Sequence, residues 1–224
     1  MIVAIDGPAG SGKSTIAKNV AQVLGFRYLD TGAMYRAVAV RARDLGIAYS
    51  DGDGLGRIAD QDPIEFKFVE GEPLPSRIFI AGKEVTDEIR TPDIDKAVSP
   101  VSAHESVRRA LVDQQCVMGS SGDYVVEGRD IGSVVFPDAA VKIFLTADAQ
   151  ERARRRTAQN LERGIEVDFE TVLADIIKRD EYDSTRALSP LVVADDAIQV
   201  DSTMMTIDYV TNLIVGLARE RADR

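Results

Sequence analysis

The sequence predicts an α/β fold: a central parallel sheet covered by helices on both faces, making three layers, with a small antiparallel sheet inserted. Three observations lead there. Short apolar runs alternate with segments of helical periodicity from the first residue to the last. A glycine-rich turn joins the first such run to the first such helix. Between residues 62 and 85 the texture changes to alternating, β-prone segments broken by Gly71, Pro73, Pro75 and Gly82.

Residues 2–5 (IVAI) read as a buried strand, and residues 14–24 as a helix with Ile16, Val20, Val23 and Leu24 on one face and Gly25 ending it. FRYLD (26–30) is a short strand. Thr31 is expected to cap a helix running through Met34, Val38 and Leu45 to Gly46. Thr91-Pro92 opens another helix, because proline is tolerated where the N–H has no partner. Residues 104–118 are helical, and 124–127 and 141–145 are buried strands. Asp148 with Glu151 begins an arginine-rich helix, ERARRRTAQNLER. A helix near 168–181, a strand at 197–200 and a helix from 204 to 219 complete the chain, which shows no repeat or low-complexity segment.

The chain has 224 residues and 45% hydrophobic residues, enough for one domain with a real core. Its net charge of -10 argues against a nucleic-acid partner. Of the 27 basic residues 20 are arginine and 7 lysine, a preference that suits bidentate phosphate contacts. A single cysteine, Cys116, permits no internal disulfide, and with one histidine, His104, no His/Cys zinc cluster can form. The chain enters a strand at once, without a charged leader, and no apolar stretch reaches membrane-span length. A cytoplasmic protein is expected, and a monomer, since no apolar seam is evident.

Residues 7–14, GPAGSGKS, fit the phosphate-loop pattern G-x-x-x-x-G-K-[ST] between a strand and a helix. Backbone N–H groups of Gly7, Pro8, Ala9, Gly10, Ser11, Gly12, Lys13, Ser14 and Thr15 (proline excepted) would surround the phosphates of ATP at the positive end of the helix. Lys13 would reach the β- and γ-phosphates, and the Ser14 hydroxyl would take a Mg²⁺ position. No N-K-x-D guanine reader occurs, since Asn19, Asn160 and Asn212 are followed by Val, Leu and Leu. A kinase, an ATPase that does mechanical or regulatory work, or a non-catalytic nucleotide-binding regulator remains. A kinase needs a second site rich in positive charge. Asp6, Asp30 and the pair Arg129-Asp130 all follow strands, so they would gather on one edge of the sheet, where ligands of such folds bind.

Three further stretches, DTGAMYR (30–36), GRD (128–130) and RDEYDSTR (179–186), together with the phosphate loop, closely resemble the bacterial cytidylate kinase family over essentially the whole chain. The resemblance implies transfer of the γ-phosphate of ATP to CMP or dCMP. It implies that Arg36, Arg129 and Arg186 hold the acceptor phosphate, and that Asp130 reads the cytosine amino group with Arg108 and Ser99. Arg179 and Asp183 would contact the sugar, with Tyr35, Asp30 and Thr31 in the same pocket. Residues of about 151–164 would form a lid, Arg156 its phosphate contact, on the face that Arg152 and Arg163 share. The division implied is a core of about 1–35 and 105–224 with an acceptor-binding insert of about 36–104. The family commonly has serine where this chain has Thr31. A kinase for another monophosphate or a hydroxyl acceptor is the alternative reading.

Overall fold

The structure is a computed structural model that describes residues 1–162, 164–186 and 188–223. Along the chain come β1 (Ile2–Asp6), α1 (Lys13–Leu24), β2 (Arg27–Asp30), α2 (Thr31–Leu45) and α3 (Gly52–Gln61). Then follow β3 (Ile64–Phe68), β4 (Pro75–Ile80), β5 (Lys83–Glu84), α4 (Pro92–Ser102) and α5 (Glu105–Gly119). β6 (Tyr124–Gly128), β7 (Val141–Thr146), α6 (Ala149–Glu162), α7 (Phe169–Thr185), β8 (Ile198–Asp201) and α8 (Ile207–Ala222) close the series.

Five strands form a parallel sheet in the order β2-β6-β1-β7-β8, and β3-β4-β5 form a separate antiparallel sheet. The expected α/β architecture and its small inserted sheet are both present. Side chains alternate across the central strands, as the pleat requires. Ala4, Leu29 and Val126 enter one core with α2, α3, α4 and α5, whereas Val3, Ile5, Tyr28 and Val125 enter another with α1 and α8. Burial on both faces is why these strands are near-continuously apolar. Each fully buried Val or Ile contributes roughly 1.5–3 kcal/mol.

One local expectation changes. Asp30, not Thr31, caps α2: its carboxylate accepts from the Ala33 N–H at 2.9 Å. Thr31 is instead the first helical residue, and its hydroxyl donates to the Glu127 carbonyl at 2.7 Å, so it is engaged across the sheet. The helix α3 lies in a stretch (GDGLGRIADQ) for which the sequence predicted no element, since glycine disfavours helix. It buries Leu55, Ile58 and Ala59.

Candidate active site

The carboxyl ends of β1, β2 and β6 converge, and the chain leaves each of them into a loop or helix that carries polar residues. After β1, Gly7 takes φ 145° and packs so closely on the Leu145 carbonyl that a Cβ would overlap it. Gly12, at φ 89°, turns the loop into α1. Lys13 is buried, and its ammonium donates to the Pro8 carbonyl at 2.7 Å and reaches the Ser11 hydroxyl at 3.5 Å. Burial and then the nearby Arg129 charge push its amine well below the usual lysine range. A polyphosphate in the loop would supply the counter-charge that this ammonium lacks.

Asp6 ends β1 and joins the phosphate loop to the Arg129-Asp130 turn. Its two oxygens accept from the Ile131 and Gly132 N–H groups, each at 2.8 Å. Burial raises its pKa to about 6 against the opposing pull of those two bonds.

Beyond β6 the predicted acceptor residues gather. Asp130 is buried and pairs with the equally buried Arg108, whose guanidinium sits 5.8 Å from the Tyr35 ring centre. Ser99 lines the same cleft from α4, which continues through Pro100 to Ser102. Arg129 donates through Nε to Asp183 at 2.9 Å. Arg36 pairs with Asp95 at 3.0 Å, and Arg186 donates through Nε to the Ser189 carbonyl at 2.7 Å. Arg179 lies 3.9 Å from Asp183 and 4.0 Å from Asp95. Arg179 Nε and Arg186 Nη2 are buried without a hydrogen-bond partner among the described residues. Such orphan donors are costly unless a ligand satisfies them. Burial lowers the Arg179 pKa to about 10, with Arg129 the next cause. The cleft that holds all these residues has a volume of about 1750 Å³ and also takes in the phosphate loop.

The family model for cytidylate kinase matches residues 3–220. A curated cytidylate kinase from Halalkalibacterium halodurans is 45% identical over 221 residues, 99% of this chain and 98% of that one. Another, from Mycobacterium avium (strain 104), is 48% identical over 100% of this chain and 97% of its own. The chain belongs to the cytidylate kinase family. A solved structure of an uncharacterized protein from Eubacterium ventriosum, 14% identical with a TM-score of 0.50, covers 100% of this chain and 99% of its own and shares the fold.

In this chain the arginine helix α6 does two things, of which the sequence indicated one. Arg156 faces the cleft and pairs with Asp95. Arg152 instead turns under the phosphate loop: Nε donates to the Ala147 carbonyl at 2.9 Å, Nη1 to the Ala9 carbonyl at 3.0 Å, and Nη2 pairs with Asp180 at 2.6 Å. Arg155, passed over in the sequence, donates to the Ser11 carbonyl at 3.3 Å, the Ser202 hydroxyl at 3.0 Å and the Ser202 carbonyl at 2.7 Å. Its spacing of three from Arg152 was the available signal. Arg163 lies outside the described residues.

Asp95, Glu127 and Arg90 were also missed. Arg90 pairs with Asp30 at 2.7 Å. Glu127 is buried, accepts from the Tyr28 hydroxyl, and lines the cleft with Ser14. Burial and then Asp30 raise its pKa. A hydroxyl beside buried carboxylates is an all-oxygen donor set, which fits Mg²⁺. No group of three His, Cys, Asp or Glu side chains that could hold a metal occurs among the described residues. The nucleotide phosphates would therefore complete the coordination.

Proposed function

We propose that this chain catalyses transfer of the γ-phosphoryl group of ATP to CMP and dCMP, giving ADP with CDP or dCDP. Membership of the cytidylate kinase family supports the reaction class. The observation that carries the site reading is the continuity of one cleft from the phosphate loop to the Asp130-Arg108 pair, with partnerless arginine N–H groups between them.

Gly7 to Thr15 bind the donor phosphates, and Lys13 neutralises charge at the β- and γ-phosphates. Arg36, Arg129 and Arg186 hold the acceptor phosphate. Asp130 accepts from the cytosine amino group, supported by Arg108 and Ser99, and uracil would present a carbonyl to that carboxylate instead. Arg179 and Asp183 serve the sugar, with Tyr35, Asp30 and Thr31 in the same pocket. Mg²⁺ held by Ser14 and the phosphates would neutralise charge on the transferring group. An acceptor phosphate oxygen attacks phosphorus in line, and the bridging oxygen leaves on ADP. The attacking phosphate oxygen is already ionised near neutral pH, so no strong base is needed.

The working division is a core (about 1–35 and 105–224), an acceptor-binding insert (about 36–104) and a lid (about 151–164). A monomer in a reducing cytoplasm, with no nucleic-acid partner, fits the lone Cys116 and the acidic charge. Among the described residues no helix is long and apolar enough to cross a membrane. The test is ADP production from ATP and Mg²⁺ with CMP, dCMP, UMP, AMP and dTMP offered separately. Fast turnover of CMP and dCMP with slow UMP supports the reading. Turnover of AMP or dTMP alone moves the chain to another acceptor, and silence with all five leaves it a nucleotide binder.

A further inference from the structure

Asp95 is an acidic side chain set among three arginines of the cleft, Arg36, Arg156 and Arg179. It stands on the first turns of α4 and is about one-fifth exposed (21%). Its Oδ1 accepts from Arg36 Nη2 at 3.0 Å and Nε at 3.3 Å, with Arg179 Nη1 at 4.0 Å. Its Oδ2 accepts from Arg156. One carboxylate thus gathers arginines from α2, α6 and α7. Burial opposes its ionisation, but Arg36, Arg156 and Arg179 outweigh that and hold its carboxyl well below the usual carboxylate range. It is a fixed anion where the two substrates bring theirs.

We infer that Asp95 is an internal stand-in for substrate phosphate, tying acceptor-site Arg36 to lid Arg156 until the acceptor's phosphate takes Arg36 from it. This rests on the reading of the cleft as a CMP and ATP site. Asp95 is then a positioning residue: it touches neither reacting atom but holds Arg156 at the cleft until donor phosphates compete for it. Two consequences follow. The empty cleft binds anions more weakly than its arginines alone would, because part of their capacity is already engaged. Hydrolysis of ATP without acceptor is also restrained. In that side reaction a water oxygen bonds to the γ-phosphorus as the bridging oxygen leaves on ADP, and the water proton passes to solvent; it too needs the lid arginine.

Asp95→Asn keeps the shape and removes the charge. Titration calorimetry with inorganic phosphate alone is expected to show binding about 5-fold tighter, the equivalent of one modest ion pair released. ADP release from Mg-ATP without acceptor is expected to rise by about the same factor, and Asp95→Glu should restore wild-type behaviour in both assays. A merely structural Asp95 would lower the melting temperature and move neither reading; unchanged or weaker phosphate binding, or unchanged hydrolysis, overturns the inference. Should the asparagine variant fail to fold, the wild type supplies the test. CMP alone is expected to speed tryptic cleavage after Arg156, since drawing Arg36 away breaks the tie from α2 through Asp95 to α6, and no acceleration rejects the role. The phosphate titration involves no CMP, so it can fail while the CMP turnover assay succeeds, and the reverse.

Discussion

Asp130 and Arg108 bury opposite charges together, and neither can be removed without stranding the other. That makes the pair structurally expensive and well suited to discrimination, because its orientation is fixed before a base arrives. Asp130→Asn replaces an acceptor oxygen with an N–H₂ that uracil can satisfy. The expected result is a fall of about 100-fold in kcat/KM for CMP, with the preference for CMP over UMP shrinking towards parity. Parallel loss for both acceptors would leave Asp130 a structural partner of Arg108 and nothing more. Asp6 carries a different cost. Its pKa rises from 3.8 to about 6, so the folded protein holds this proton more tightly than the unfolded chain does. The stabilisation of the protonated form is complete below about pH 4 and is lost as pH rises through about 6, a cost near neutrality of about 3 kcal/mol. Other carboxylates here, such as Asp183, have lowered pKa values and contribute in the opposite direction. The difference between variants isolates Asp6: melting temperature against pH, between 4 and 6, should have a more positive slope in Asp6→Asn than in wild type. Parallel curves would mean that Asp6 does not titrate there.

At the scale of the element, α6 divides its arginines between those that hold the phosphate loop and Arg156, which faces the cleft. Arg152 is buried, and its loss leaves the Ala9 carbonyl, the Ala147 carbonyl and Asp180 without their donor. Arg152→Ala is therefore expected to destabilise by about 3 kcal/mol, seen in thermal unfolding. Arg156 is one-third exposed on the cleft side (33%). Arg156→Ala should change stability by less than about 1 kcal/mol while lowering kcat about 100-fold. Reversal of the two phenotypes would reverse the assignment. The same helix shows what was legible in the sequence. Its start, its length and the importance of arginines could be read from Asp148, Glu151 and the spacing. That Arg152 and Arg155 grip the loop at Ala9 and Ser11 could not, since those partners are 143 and 144 residues away. Asp95 was hidden for the same reason: its arginines lie 59 and 61 residues away in sequence. The strands, by contrast, announced themselves through apolar runs that only a sheet buried on both faces tolerates. In α3 the local signal pointed the wrong way, because Gly56 is set against Ser106, where a Cβ would come within 2.6 Å. Close packing on α5 selected residues that weaken helix propensity.

The whole molecule puts the proposed donor and acceptor residues in one cleft of about 1750 Å³, larger than the roughly 300–1,000 Å³ of an ordinary small-molecule pocket. A cleft of that size admits water, and water beside a bound γ-phosphate would waste ATP, so turnover requires closure. The structure indicates which parts can move. The first turns of α6 are pinned to the phosphate loop through Arg152 and Arg155, so movement there would open the loop itself. Farther along, α6 and α7 share only a small core of Ala153, Val172 and Ile176 with Val167, Phe169 and Leu173 against it. Small cores of this kind sit at the low-stability end of a fold. Yet α7 carries Arg179 and Asp183 and is capped by Arg186, while α6 carries Arg156, so one helical hairpin would reach both proposed substrate sites. Closure should therefore need both, with donor phosphates drawing Arg156 and the acceptor drawing the α7 arginines. In limited trypsinolysis, a non-hydrolysable ATP analogue together with CMP is expected to slow cleavage between residues 154 and 179 about 10-fold, whereas neither ligand alone should do so. Equal protection by ATP analogue alone would make the hairpin a donor lid only. No protection by both together would mean that the cleft is already in its working shape, and that the buried arginines, not a moving lid, keep water from the phosphate.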